Sequence, residues 1–252
     1  MPIELQGKVV LLTGATGGLG RAIADSLARR GATLVLSSRK APELDELALG
    51  LPGEGHRRVV CDLSEEGAAE SLAGEVGEVD VLVANAGLGA NGRFEGFDAE
   101  RIERVVRVNL EAPLRLARAL TPSMSERGSG QLVFISSLAG KAVSGRSALY
   151  SATKAGLRAF ALGLRQDLAP DGIGVSVVNP GFIREAGMFH ESGRTPPPGL
   201  GTATPEQVGE AVARAIEDDR AELDVAPVQQ RLLANFAGRR PHLAARITRG
   251  RL

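Results

Sequence analysis

Val9-Val10-Leu11-Leu12-Thr13-Gly14-Ala15-Thr16-Gly17-Gly18-Leu19-Gly20, followed by Arg21 to Arg29, is the stretch that decides how this chain reads. Four consecutive apolar residues form a strand buried on both faces. Arg21 to Arg29 has the spacing of a helix, with Ala22, Ile23, Leu27 and Ala28 on one side. Between them lies a glycine-rich turn. Glycine lets backbone come close to a bound group, and the free N–H groups of the following helix attract an anion. Placed between a first strand and a first helix, the turn predicts a site for the pyrophosphate of a nucleotide.

Outward from that turn, short apolar runs alternate with helical stretches. Leu34–Leu36, Val59–Cys61, Val81–Val83, Leu132–Ile135 and Val175–Val178 read as strands two to six, and Ala221–Val225 as a seventh. Long helical patterns cover about Ala99–Met124, Ser147–Leu168 and Glu206–Ile216. Strands apolar on both faces, separated by helices, predict an α/β fold: a doubly wound parallel sheet of about seven strands with helices on both sides. The chain reads as one domain over residues 1–252. A cofactor half covers about 5–125, a catalytic and substrate half about 126–228, and a basic extension 229–252. Pro180 to Pro205, with Pro196 to Pro198, is the one long irregular stretch, and such loops are functional or mobile.

Composition narrows the classes. The 252 residues are 43% hydrophobic and 24% charged, with no net charge, so nothing draws the whole chain to nucleic acid or membrane. Cys61 is the single cysteine, which excludes an internal disulfide and a cysteine zinc site. His56, His190 and His242 are the only histidines, and no metal is expected. Met1–Leu5 lacks the basic and apolar regions of a signal peptide, and no apolar run approaches the length of a membrane span; the cytoplasm is the expected location.

Motifs follow the strands in order. Thr13-Gly14-xxx-Gly18-x-Gly20 resembles the cofactor signature of the classical short-chain dehydrogenase/reductase family. Asp62-Leu63 follows the third strand, Asn85-Ala86-Gly87 the fourth, and Asn109 lies in the long helix. Ser137 follows the fifth strand, 13 residues before Tyr150 in Tyr150-Ser151-Ala152-Thr153-Lys154, and Pro180-Gly181 follows the sixth. The resemblance covers about residues 5 to 225. It implies a Rossmann-type domain and a nicotinamide-dependent oxidoreductase that interconverts a carbonyl compound and an alcohol, in a homodimer or homotetramer. It assigns Tyr150 as general acid/base, Ser137 as the donor to substrate oxygen in preference to Ser136, and Asn109 to a water-linked proton relay. Lys154 lowers the tyrosine pKa and holds the nicotinamide ribose. The implied cofactor contacts are Gly14, Thr16, Gly17, Gly18, Leu19, Gly20, Ser38, Arg39, Asp62, Leu63, Asn85, Ala86, Gly87, Tyr150, Lys154, Pro180, Gly181 and Ile183.

Two features refine this. The second strand ends Ser37-Ser38-Arg39-Lys40 with no acid before Glu43, so a 2′-phosphate finds a hydroxyl and a guanidinium, and NADP(H) is preferred to NAD(H). After Pro180-Gly181-Phe182-Ile183 the family's Thr is missing, replaced by Arg184-Glu185. Leu88, Leu138, Val143, Phe182, Met188 and Phe189 are the candidate pocket lining, for a small, fairly apolar carbonyl compound. The tail carries Arg231, Arg239, Arg240, Arg246, Arg249 and Arg251 and no acid after Asp224; a docked helix is the preferred reading, a membrane-surface helix its alternative. The competing functional class is a binding protein that senses NADP(H) without turnover. Nucleic acid is not an expected partner.

Overall fold

The structure is a computed structural model that describes residues 1–188, 195–197 and 199–243. Its centre is a seven-stranded sheet in the order β3-β2-β1-β4-β5-β6-β7. The strands are β1 Val9–Thr13, β2 Thr33–Ser38, β3 Arg57–Val60, β4 Val81–Ala84, β5 Gly130–Ile135, β6 Ile173–Pro180 and β7 Glu222–Val225. All pair in parallel, with Val10 opposite Val81 and Leu34, and Phe134 opposite Ala84 and Val177.

Alternating side chains send each strand's apolar residues to opposite layers. Val10, Leu12, Leu34, Leu36 and Val83 pack with α1 (Gly18–Ala28), α2 (Ala41–Gly50) and α7 (Pro205–Glu217). Leu11, Val35, Leu82, Phe134 and Val177 pack with α3 (Ala68–Val76), α5 (Ala112–Arg127) and α6 (Ala148–Leu168). The central strands are therefore buried on both faces, as their unbroken apolar runs require. Strand order reverses between β1 and β4, and the crevice above this point is where doubly wound sheets hold ligands.

Three expectations change. Helices α2 and α3 were not foreseen; each has only two or three buried side chains, too few for a clear periodic signal. Strand β3 ends at Val60, so Cys61 lies beyond it. The long helix from Ala99 is divided into α4 (Ala99–Val106), a π turn (Arg107–Glu111) and α5. A further helix, α8 (Val228–Arg239), carries the start of the basic extension. Phe189, His190, Pro198, Arg246, Arg249 and Arg251 lie outside the described residues. Among the described residues, no helix is long and apolar enough to cross a membrane, and no cluster of metal-ligating side chains occurs.

Candidate active site

The glycine turn is shaped by its neighbours. Gly14 has φ +63°, and a Cβ there would meet Ala86 Cα at 2.8 Å, because the β4 turn crosses directly over it. Asn85 secures that crossing. Its side chain donates to Thr13 O at 3.0 Å and Gly14 O at 3.1 Å, while Thr13 Oγ1 accepts from Asn85 N and Ala86 N. Behind the turn, α1 starts at Gly18 with Gly17 as its cap. No side chain caps the helix, and its first turn holds no acid. Uncapped N–H groups at a helix N-terminus suit a phosphate, so the residues present fit a dinucleotide.

Thr16 Oγ1 donates to Ser38 Oγ at 2.9 Å, which joins the turn to the end of β2. Arg39 lies beside Ser38, half-exposed, with a nitrogen 3.5 Å from Asp62. Asp62 also accepts from Ser64 N and Ser64 Oγ. Burial pushes its carboxyl pKa up, but the Ser64 hydrogen bonds and Arg39 hold it below the usual range overall. Leu63 and Ile183 are buried.

Four side chains meet at the C-terminal ends of β4 and β5. Ser137 Oγ accepts from Ala139 N at 3.1 Å and donates to Pro180 O at 3.3 Å. Ser136 turns the other way and donates to Lys154 O at 2.8 Å, a buried structural bond. Tyr150 and Lys154 sit one turn apart on α6. The buried ammonium donates to Ile135 O at 2.8 Å and lies 5.8 Å from the centre of the Tyr150 ring. Asn109 occupies the π turn, where an extra residue aims it inward. Its Oδ1 accepts from Leu88 N at 2.6 Å, and its Nδ2 donates to Leu88 O at 2.9 Å and Thr153 Oγ1 at 3.3 Å. π turns of this kind are frequent at functional sites.

Electrostatics here are set by burial. Desolvation raises the Tyr150 pKa, and the bond to Ser137 only partly offsets it. Desolvation lowers Lys154 to about 8. The Lys154 ammonium is directed at Ile135 O, and the Tyr150 shift comes from burial and Ser137.

Around the Tyr150 ring lies an apolar cluster of Leu88, Ala90, Phe97, Ile102, Val105, Val106 and Leu149. Phe97, Ile102 and Val106 went unanticipated because their approach to Tyr150 depends on where the π turn sets α4. Val143, expected in the lining, is 71% exposed on the rim. The segment lacking the family's Thr crosses the crevice as a strap. Glu185 takes a left-handed φ of +72°, Ala186 rests on Gly18, and Met188 lies over Gly87 and Gly89. Gly181 is tightly enclosed by Gln230, Ala226 and Leu138.

Comparison with known proteins agrees with this fold. A family model described as short chain dehydrogenase matches residues 8–196. The chain is 39% identical over 227 residues to "Ketoacyl reductase HetN" of Nostoc sp., covering 88% of this chain and 79% of that protein. It is 37% identical over 184 residues to "3-oxoacyl-[acyl-carrier-protein] reductase FabG" of Escherichia coli, covering 72% and 75%. Its structure superposes with a TM-score of 0.80 on a short-chain dehydrogenase from Sphingobium yanoikuyae solved with NADPH, at 29% identity, covering 94% of this chain and 95% of that one. The chain belongs to the short-chain dehydrogenase/reductase family. It is an NAD(P)-dependent oxidoreductase.

Proposed function

We propose that this enzyme uses NADPH to reduce the carbonyl group of a small, largely apolar ketone or aldehyde, with Tyr150 as the proton donor. The observation that carries the reading is the Tyr150 ring packed against an apolar cluster with the buried Lys154 ammonium 5.8 Å from its centre, one helical turn away on α6. With its pyrophosphate held at the glycine turn, a bound dinucleotide would supply the hydride from its nicotinamide ring.

The chain's own residues do the rest. Ser137 Oγ turns its proton from Pro180 O to the substrate oxygen, and Tyr150 delivers its own proton there as charge develops. Burial raises the Tyr150 pKa, so the phenol holds its proton at neutral pH and can serve as the acid. Lys154, with a pKa of about 8, is mostly charged at neutral pH and can return a proton. Asn109 fixes the Leu88 backbone beside it and supports the relay. Leu88, Phe97 and Ile102 exclude water and select apolar substituents. For the cofactor, Ser38 and Arg39 receive the 2′-phosphate, and the Arg39–Asp62 pair opens to do so. The names of the two reductase relatives agree with carbonyl reduction.

The test is steady-state kinetics on a panel of ketones and aldehydes. Tyr150→Phe should lower kcat at least roughly a hundredfold, the scale of a lost general acid, while NADPH binding stays within a few-fold. Arg39→Ala should cut kcat/KM for NADPH about tenfold or more and leave NADH little changed. Wild-type turnover retained by Tyr150→Phe refutes the proton assignment. Equal use of both cofactors by the wild type refutes the cofactor assignment.

A further inference from the structure

Helix α8 docks by an unusual side. It is held to the domain by Gln230 and Ala234, both buried. Gln230 accepts from Phe182 N at 3.1 Å and donates to Leu200 O and Gly201 O at 3.2 and 2.8 Å. Near its end, Gly238 leans on Lys141 O. The apolar side chains face away: Val228, Leu232, Leu233 and Phe236 are all exposed, as is Leu243 just beyond. Half of the large hydrophobic side chains exposed among the described residues lie in 228–243. Arg239 and Arg240 project from the same outer side and Arg231 from its edge, since 100° per residue places them there.

Three occupants compete for this face. Folding back on the domain is ruled out by the docking just described. A second copy packed α8 against α8 would set the arginines of one helix against a partner helix that carries Arg231, Arg239 and Arg240 and no acid. The outer side of a twelve-residue helix, about 18 Å by 10 Å, also falls well short of the roughly 800 Å² per partner of a stable interface. Anionic lipid meets both requirements: acyl chains accept the leucines and phenylalanine, and headgroups accept the guanidinium groups. Two further large apolar residues, Val143 and Phe94, are exposed, and Phe94 lies 6.5 Å from Phe97 of the Tyr150 cluster. Val143 is two residues beyond Lys141, and Gly92 N donates to Arg146 O at 2.8 Å to join the two rim loops.

We propose that α8 seats the enzyme on an anionic lipid surface, with Leu232, Leu233 and Phe236 entering the interface and the rim of the catalytic crevice turned toward the bilayer. Each arginine near such a surface strengthens partitioning about fivefold, so Arg231, Arg239 and Arg240 together contribute on the order of a hundredfold at low salt. The proposal does not depend on the cofactor preference or on the tyrosine's role.

The experiment is sedimentation of the full chain with vesicles of phosphatidylcholine, with and without phosphatidylglycerol. Wild type should pellet with the anionic vesicles and be released by salt. Leu232→Gln/Phe236→Gln should partition at least tenfold less, and Arg239→Gln/Arg240→Gln should lose most of the salt-sensitive part. Thermal unfolding establishes that each variant is folded, which the outward orientation of these side chains leads us to expect. Wild type remaining in the supernatant with anionic vesicles overturns the proposal. So does pelleting that both folded variants retain in full. A change in sedimentation velocity from dimer to monomer in Leu232→Gln/Phe236→Gln without lipid would assign the face to a second copy and overturn it too.

Discussion

Lys154→Met should make this protein more stable and inactive at once. Burial lowers the ammonium pKa from 10.5 to about 8. At roughly 1.4 kcal/mol per tenfold change, keeping that charge inside the folded protein costs about 3 kcal/mol at neutral pH. Methionine removes the charge and fills a similar volume. It also leaves Ile135 O without the donor it now has at 2.8 Å, a loss of about 1–3 kcal/mol. The net gain is about 1 kcal/mol, which raises Tm by a few degrees in a chain of this length. The pH dependence is more diagnostic than the size. The folded pKa lies below the unfolded one, so between about 8 and 10.5 the unfolded chain binds the proton more tightly and wild-type stability rises with pH. The advantage of Lys154→Met should therefore be full below pH 8 and shrink toward pH 10.5. Thermal or urea unfolding of both proteins at pH 7, 9 and 10 reads this directly. A variant that melts below wild type at pH 7, with a gap that does not change with pH, would refute the reasoning.

Gly14→Ala should be destabilised by at least about 2 kcal/mol, combining a left-handed φ of +63° with a contact of 2.8 Å to Ala86 Cα; urea unfolding measures it, and a change under about 0.5 kcal/mol would show that the turn yields easily. A network of Lys141, Arg158, Glu222 and Asp224 ties β7 to α6 and to the turn after Ser137. Burial pushes the Glu222 carboxyl up, but hydrogen bonds from Arg158 and Lys141 more than offset this and bring it from 4.5 down to about 2. Its folded pKa is depressed, so its contribution is complete above about 4.5 and is lost as pH falls toward 2. Glu222→Gln should lose less stability than wild type across that window; equal losses in acid unfolding would count against the network.

The order of the motifs was legible because strand ends fix them. A parallel sheet brings the ends of β1, β4 and β5 together, so Gly14, Asn85 and Ser137 share one edge once those strands are recognised. The choice of Ser137 over Ser136 rests on resemblance; in the structure Ser136 is tied to Lys154 O and Ser137 to Pro180 O, since consecutive residues leave a strand on opposite sides. What stayed hidden depended on contacts distant in sequence. Arg39 reads as a free cation until Asp62 is folded against it. Met188 reads as a lining candidate, and only the path of the strap sets it on Gly87. The direction of Leu232, Leu233 and Phe236 was hidden too, because periodicity identifies an apolar side of a helix but not what it faces.

The π turn at Arg107–Glu111 carries a consequence of another kind. One added residue rotates everything after it by about 100° relative to an unbroken α-helix. The helix from Ala99 to Arg127 thus runs in two phases: Val105 points to the Tyr150 cluster, and Leu116, Leu120 and Met124 point to the sheet. A one-residue deletion there would restore a regular helix and bring both halves into a single phase, turning either the pocket wall or the sheet contact outward. The irregularity is thus a joint that lets one helix serve two surfaces, and each half can vary in sequence without putting the other out of step.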